Sequence, residues 1–325
     1  MEDPGLIGDE IRQQPHRRTL CHNERHPPRL WHPRVGPLNS LLMSLAPTPG
    51  SVEDSTPVRL PPTMNRSTIS VVIPVKDDAD HLRRCLMALS EQTFAPTEVI
   101  VVDNGSTDDS ANVALSFGAR VLREDRPGIP AASAAGYDAA SADIIARLDA
   151  DSVAPTDWLE RIAATFDWSP TVTAVTGGGY FTDGPRAWRH LGARLYLGTY
   201  FVLVGGALGH TPLFGSNCAF RRSEWMRVGS DVHRFDPMVH DDIDLSMHLG
   251  PQATIRLDRN LQMGISSRPF SATPTEMRIR FRRGVHSLTI HWPQESPLRR
   301  HVRRAGRLWR KRLASLPLHH SHRGA

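Results

Sequence analysis

Along the first 66 residues apolar positions recur at neither the helical nor the strand period, apart from a short patch, LNSLLMSLA, at 38–46. From Thr68 the pattern changes. ISVVIPV (69–75) is an unbroken, largely β-branched run of the kind that fills a parallel strand buried on both faces. Leu82, Cys85, Leu86 and Leu89 then recur at helical spacing, with Asp80 placed to cap that helix. TEVIVVD (97–103) reads as a second buried strand, ends in the turn cluster NGSTDDS, and is followed by a helix carrying Ala111, Val113, Ala114 and Phe117. ARVLRE (119–124) is a third strand. After a loop through Arg126-Pro127-Gly128, residues 131–142 read as helix and DIIARLD (143–149) as a fourth strand. Strands alternating with helices in this way predict βαβ units, an α/β fold with a mostly parallel sheet, and ligands beyond the carboxyl ends of the strands.

Composition limits how far this fold extends. With 325 residues, 39% hydrophobic and 22% charged, the chain suits one α/β domain with appendages, slightly apolar-poor for a compact enzyme. Residues 1–66 hold eleven of the 26 prolines and are expected to be disordered or not translated, Met64 being a natural start for a bacterial α/β enzyme. Residues 278–325 hold thirteen Arg and Lys against one acid, Glu295, so the tail carries +12 of a total of +5 and the body is acidic. The sequence pI near 9.5 therefore describes the tail, and nucleic acid is not an expected partner. Basic residues split as 37 Arg to 2 Lys, which fits GC-rich codon usage. Cys21, Cys85 and Cys218 are too few and too far apart for a disulfide scaffold, and the acidic, proline-bearing start lacks the flank and apolar run of a secretory signal. A cytoplasmic, reducing location is expected.

The strand ends concentrate acids. The first strand delivers Pro74, Val75 and Lys76-Asp77-Asp78, the second Asp103, the fourth Asp149-Ala150-Asp151. Crowded carboxylates repel and gain nothing for the fold unless a cation joins them. A pair at i and i+2 after a buried strand offers the oxygen ligands that Mg²⁺ or Mn²⁺ takes alongside substrate phosphates.

VVIPVKDDADHLRRCLMAL, EVIVVDNGSTDDS, RPGIPAASAAGYDAASADIIARLDADS and DWL, in this order, resemble the family 2 glycosyltransferases, inverting and metal-dependent sugar transferases of GT-A fold. GSNCAFRRSEWMRVG (215–229) is similar to the family's acceptor-side G-x-N-x-x-x-R-R segment and HDDIDLSMHL (240–249) to its E-D-x-D-L motif, so the likeness runs over about 68–270. The resemblance implies a GT-A domain over 67–270, with a nucleotide-sugar half at 67–151 and an acceptor half at 152–270; beyond it, charge and periodicity predict a basic helical tail at 271–325. It implies a nucleotide-diphosphate sugar donor bound by Pro74, Val75, Asp77, Asp78, Asp103, Gly128 and Asp149, with Mn²⁺ or Mg²⁺ on Asp149 and Asp151. Gly215, Asn217 and Asp241 would lie on the acceptor side, and Asp242 would be the base that deprotonates the acceptor hydroxyl. On a helix Asp241 and Asp244 share a face while Asp242 points elsewhere, and Asp244 is read as support for the helix dipole. Lys76-Asp77 and Ser133-Ala134 replace the family's common Tyr-Asn and Arg-Asn, Asp241 replaces its Glu, and Arg278–Arg283 stand in place of Q-x-x-R-W, which speaks against processive polymer synthesis.

No charged residue lies between Arg194 and Arg221, and LYLGTYFVLVGGALG (195–209) reads as too short to span a bilayer. A core helix and a hydrophobic acceptor wall at the membrane interface both fit it. In the tail, Leu298, Val302, Ala305, Trp309, Leu313 and Leu316 form one helical stripe among arginines, the pattern of a helix lying on an anionic membrane surface; a solvated or nucleic-acid-binding arm also fits. His319, His320 and His322 have no partners at metal-ligand spacing. The expected enzyme is thus a glycosyltransferase peripheral to the inner membrane face, acting on a lipid-linked or cell-envelope glycan. Two alternatives stand beside it: a nucleotidyltransferase, which would need a glycine-rich basic loop where VKDDADHL stands, and a non-catalytic relic, against which the retained acids argue.

Overall fold

The apolar runs form the inner strands of a seven-stranded sheet in this computed structural model, which describes residues 66–271 and 273–314. The strands are β1 (Ile69–Val75), β2 (Glu98–Asp103), β3 (Arg120–Arg123), β4 (Ile144–Arg147), β5 (Ala174–Phe181), β6 (Cys218–Arg221) and β7 (Ile255–Ile265). Their order is β3-β2-β1-β4-β6-β5-β7, and within it β6 runs against the others. Alternate residues of β1 serve two cores. Ile69, Val71, Ile73 and Val75 pack with α1 (Ala79–Ser90), α2 (Ser110–Ser116) and α4 (Trp158–Trp168), and Val72 packs with α3 (Ile129–Ala139), α6 (Arg222–Val228) and α7 (Asp241–Leu249). A strand covered on both faces has no solvent position to fill with a polar side chain, hence the unbroken run.

Element ends depart slightly from the sequence reading. Asp78, not Asp80, occupies the position before α1, and Asp80 lies in its first turn, where a carboxylate still favours the helix dipole. α3 begins at Ile129, with Pro130 in its first turn, where a missing N–H costs nothing.

Two larger departures concern the apolar insert and the tail. The insert is part of α5 (Arg186–Leu208), a helix of 23 residues, because Arg189, His190 and Arg194 lie within the helix instead of ending it. Its portion Trp188–Leu208 is therefore long and apolar enough to cross a membrane by length and composition, contrary to the reading of a span too short. In the fold, Ala193, Leu197, Val204 and Leu208 are buried while Leu195, Val202 and Leu203 face outward, the last two 72% and 67% exposed. The tail comprises α8 (Pro274–Thr289), started by a capping box between Thr273 and Glu276, and α9 (Pro297–Ala314). α9 is docked, not free, through fully buried Arg300, which donates to the carbonyls of Leu208 at 2.6 Å and Met247 at 3.3 Å and to His210 Nε2 at 3.0 Å. Leu298, Val302 and Trp309 remain exposed. Residues 1–65, Leu316 and the histidines at 319, 320 and 322 lie outside the described residues.

Candidate active site

The carboxyl ends of β1 and β4 open on a pocket lined by Pro74, Val75, Asp77, Asp78, Gly128, Asp149 and Asp151. Two loops are tied together at its mouth. The Asp77 carboxylate accepts the Thr107 N–H at 2.7 Å and hydroxyl at 3.0 Å, and its own N–H donates to Ser106 Oγ at 3.0 Å. These bonds hold Asp77 at φ 49°, a conformation that carries strain for a non-glycine residue, and the two from Thr107 lower its carboxyl pKa. Asp103 shapes the same turn by accepting the Ser106 N–H at 2.9 Å, but it is buried and is not among the pocket's lining residues. Its neighbour Asn104 is: Oδ1 accepts the Gly128 N–H at 2.7 Å, fixing a glycine whose φ of 122° disfavours any side chain. Across the pocket Arg268 donates to Asp78 at 2.8 Å and to Asp151 at 2.6 Å.

A second pocket shares Asp149 and Asp151 and continues over Arg147, Tyr200, Gly215, Ser216, Asp241 and Asp242. The reversed direction of β6 brings the 214–217 segment here, since Cys218 pairs with Arg147 at the end of β4. Asp242 is oriented by two backbone donors, Gly215 N–H at 2.9 Å and Ile243 N–H at 2.8 Å, with the Tyr200 hydroxyl 3.4 Å away. Buried Arg147 pairs with Asp149 at 2.9 Å and Asp241 at 3.3 Å, and the Ser133 hydroxyl donates to Asp241 at 2.8 Å. Ser216 donates to Asp149. Burial raises the Asp149 pKa; Asp151 and Asp241 add to that rise, while Arg147 and Ser216 oppose it without cancelling it. A carboxyl in that condition gains from an added cation.

The structure separates three acids that spacing grouped otherwise. Asp241 and Asp242 both line the second pocket, and buried Asp244 turns away to accept the His233 N–H at 2.7 Å. Helical spacing sets the Cα positions, but at a first turn the neighbouring loops decide what short carboxylates reach, here Arg147, Gly215 and His233 respectively. Burial would raise the Asp244 carboxyl, yet the nearby His248 imidazole and hydrogen bonds with His291 and His233 hold it well below the usual carboxylate range. Asn217 also sits apart from the pocket: fully buried, it accepts from Trp158 Nε1 at 2.9 Å and donates to the carbonyls of Gly178 and Leu261, both at 2.8 Å. Its work is to join α4, β5, β6 and β7. Sequence reasoning missed Arg147, although a charged residue inside DIIARLD announces a buried pair. It also missed Asn104, Tyr200, Arg268 and the pocket-lining Arg280 of α8, which only tertiary packing brings to the rim.

A mostly parallel sheet with carboxylates at its strand ends defines an α/β class, and comparison with known proteins narrows it. Residues 70–228 match the family described as glycosyl transferase family 2, and this segment is a domain of that family. Glycosyltransferase AglE of Haloferax volcanii is 35% identical over 118 residues, covering 34% of this chain and 38% of the relative. A glucosyl-dolichyl phosphate glucuronosyltransferase of the same organism is 26% identical over 151 residues, covering 42% and 47%. The chain thus spans less than half the length of either curated relative. Residues 1–349 of TarS from S. aureus share the fold at a TM-score of 0.50 and 15% identity, over 77% of this chain and 75% of that one. The architecture is the expected GT-A fold.

Proposed function

We propose that the chain is a metal-dependent, inverting glycosyltransferase that moves a sugar from a nucleotide-diphosphate donor to a lipid-linked or cell-envelope glycan. One observation carries this reading: two pockets meet at Asp149 and Asp151, with the donor-type residues Pro74, Val75, Asp77, Asp78 and Gly128 on one side and Asp242 on the other. Inversion requires that division, since the attacking oxygen and the departing diphosphate must lie on opposite faces of the sugar carbon.

The residues fit a divalent cation. Arg268 already places a positive group between Asp78 and Asp151, and Asp149 is a half-buried carboxyl whose pKa desolvation raises despite its pair with Arg147. Asp149 and Asp151 would hold Mn²⁺ or Mg²⁺, whose chemistry is to neutralise charge on the leaving diphosphate. In the transfer, the Asp242 carboxylate takes the acceptor hydroxyl proton, the acceptor oxygen bonds the anomeric carbon, and the bond from that carbon to the diphosphate oxygen breaks. Gly215 and Ile243 aim the carboxylate, and Arg147 offsets the charge of Asp149 and Asp241 beside it.

The acceptor class is supported by a mostly apolar groove lined by Trp188, Leu195, Leu203, Phe270 and Phe281, which joins the second pocket at Tyr196, Tyr200 and Val204. An alkyl chain there would leave its head group at Asp242. The relative whose name specifies a dolichyl-phosphate acceptor points the same way. Such an acceptor places the enzyme at the inner membrane face. A panel of nucleotide sugars, assayed with Mn²⁺, with Mg²⁺ and with chelator, against lipid-linked and water-soluble acceptors, tests this. Metal-dependent transfer to lipid-linked sugar is expected; turnover of no donor, or turnover unaffected by chelator, would overturn the reading.

A further inference from the structure

Below the active site, on the other side of α7, three imidazoles converge on one carboxylate. Asp244 Oδ1 lies 2.9 Å from His233 Nδ1, 2.9 Å from His291 Nε2 and 3.5 Å from His248 Nε2, and all four atoms fall within 4.8 Å of one another. The three rings stand 4.9 to 5.6 Å apart around it, centre to centre. As a set of hydrogen bonds the cluster is incomplete, because buried His248 Nε2 makes no hydrogen bond and reaches Asp244 Oδ1 only as a 3.5 Å contact. As a coordination shell it is well composed: three imidazole nitrogens and one carboxylate oxygen suit zinc, whose tetrahedral bonds of 2.0 to 2.2 Å set neighbouring ligand atoms roughly 3.3 Å apart.

We infer that His233, Asp244, His248 and His291 form a structural zinc site that pins the helix bearing Asp241 and Asp242 to the end of α8. It is separate from the diphosphate site, since none of the four residues lines either pocket at the strand ends. Asp244 and His248 stand at i and i+4 on α7 and form the preorganised half, His233 comes from the preceding loop and His291 from the turn after α8. The second Asp244 oxygen is held by the His233 N–H at 2.7 Å, so the first is presented in fixed orientation, as outer hydrogen bonds commonly do for ligating carboxylates. Four protein ligands leave no open position, which marks a structural ion and not a catalytic one. Its effect is geometric: the ion would fasten the 230–240 loop, α7 and the α8–α9 turn to each other, fixing where the acceptor-side rim stands relative to Arg280.

The full-length protein, purified after expression with added zinc and dialysed, tests this by elemental analysis. About one zinc per chain is expected in the wild type and equally in Asp151→Asn, with at least a tenfold loss in His248→Ala and His291→Ala. Replacing zinc by Co²⁺ in the wild-type protein should give the intense visible absorption of tetrahedral cobalt, a readout that needs no variant to fold. Zinc-free wild-type protein lacking that absorption, zinc that persists in both histidine variants, or zinc lost with Asp151→Asn would overturn the site. The last outcome would move the ion to the diphosphate pocket while leaving the proposed glycosyl transfer intact.

Discussion

Gly215 is a backbone donor to Asp242 at 2.9 Å, and a Cβ at this position would lie 1.8 Å from the Arg147 guanidinium. Arg147 is buried between Asp149 and Asp241 and has no room to retreat without breaking one of those pairs. Gly215→Ala should therefore destabilise the fold by about 1 to 3 kcal/mol and weaken donor binding as Asp149 loses its counter-charge; an unchanged denaturation midpoint with normal donor affinity would count against it. Asp242→Asn should behave differently, because the proposed base would touch the acceptor and not the diphosphate. Donor affinity should stay near wild type while transfer falls on the order of a hundredfold or more, as loss of a general base does; a wild-type rate in that variant would remove Asp242 from its role. Of these residues the sequence announced Asp149, Asp151 and Asp242 through local motifs. Arg147 was visible only as a charge in an apolar run, and Arg268 not at all, since its partners Asp78 and Asp151 lie 190 and 117 positions away in the chain. Asn217 misled because a motif records that a residue matters without recording whether it faces ligand or core.

Elements with strict periodicity were read well, notably β1 and α1, whose buried Leu82, Cys85, Leu86 and Leu89 are the predicted set. α5 and α9 were read less well, because an amphipathic pattern shows a stripe but not which side is covered. In α9 the buried anchor is a cation, Arg300, which donates to His210 Nε2 while His210 Nδ1 meets the Thr211 carbonyl at 2.9 Å. That arrangement requires neutral imidazole, and burial, helped by the charges of Arg300 and Arg304, lowers the His210 pKa to about 4 from 6.5. As pH falls the unfolded chain takes this proton first, so stability is lost between pH 6.5 and 4, by about 2 kcal/mol at pH 5. Denaturant melts at pH 7 and pH 5 should show a steeper loss for wild type than for His210→Gln. Parallel losses would mean that the α9 junction does not sense acid through this residue.

At the scale of the whole molecule, outward Leu195, Val202 and Leu203 of α5 and the exposed stripe of α9 with its arginines leave apolar and basic surface on neighbouring helices joined through Arg300 and His301. Vesicles containing anionic lipid should bind the protein, binding should weaken several-fold between low and physiological salt, and Val202→Asp with Leu203→Asp should reduce it further. Equal binding to neutral vesicles, or preference for DNA, would contradict this. The reversed strand carries a further consequence. Four backbone pairs, from Ile144 with Arg221 to Arg147 with Cys218, are the rail along which the 214–217 loop is positioned against the parallel strands. A slip of one residue would turn every side chain of β6 to the wrong core, and a slip of two would carry Gly215 and Ser216 about 7 Å along the strand, away from Asp242 and Asp149. Alignment of the two pockets thus admits no small error: this short ladder acts as a vernier with a single usable setting, held by the packing of Ala219 and Phe220 into opposite cores.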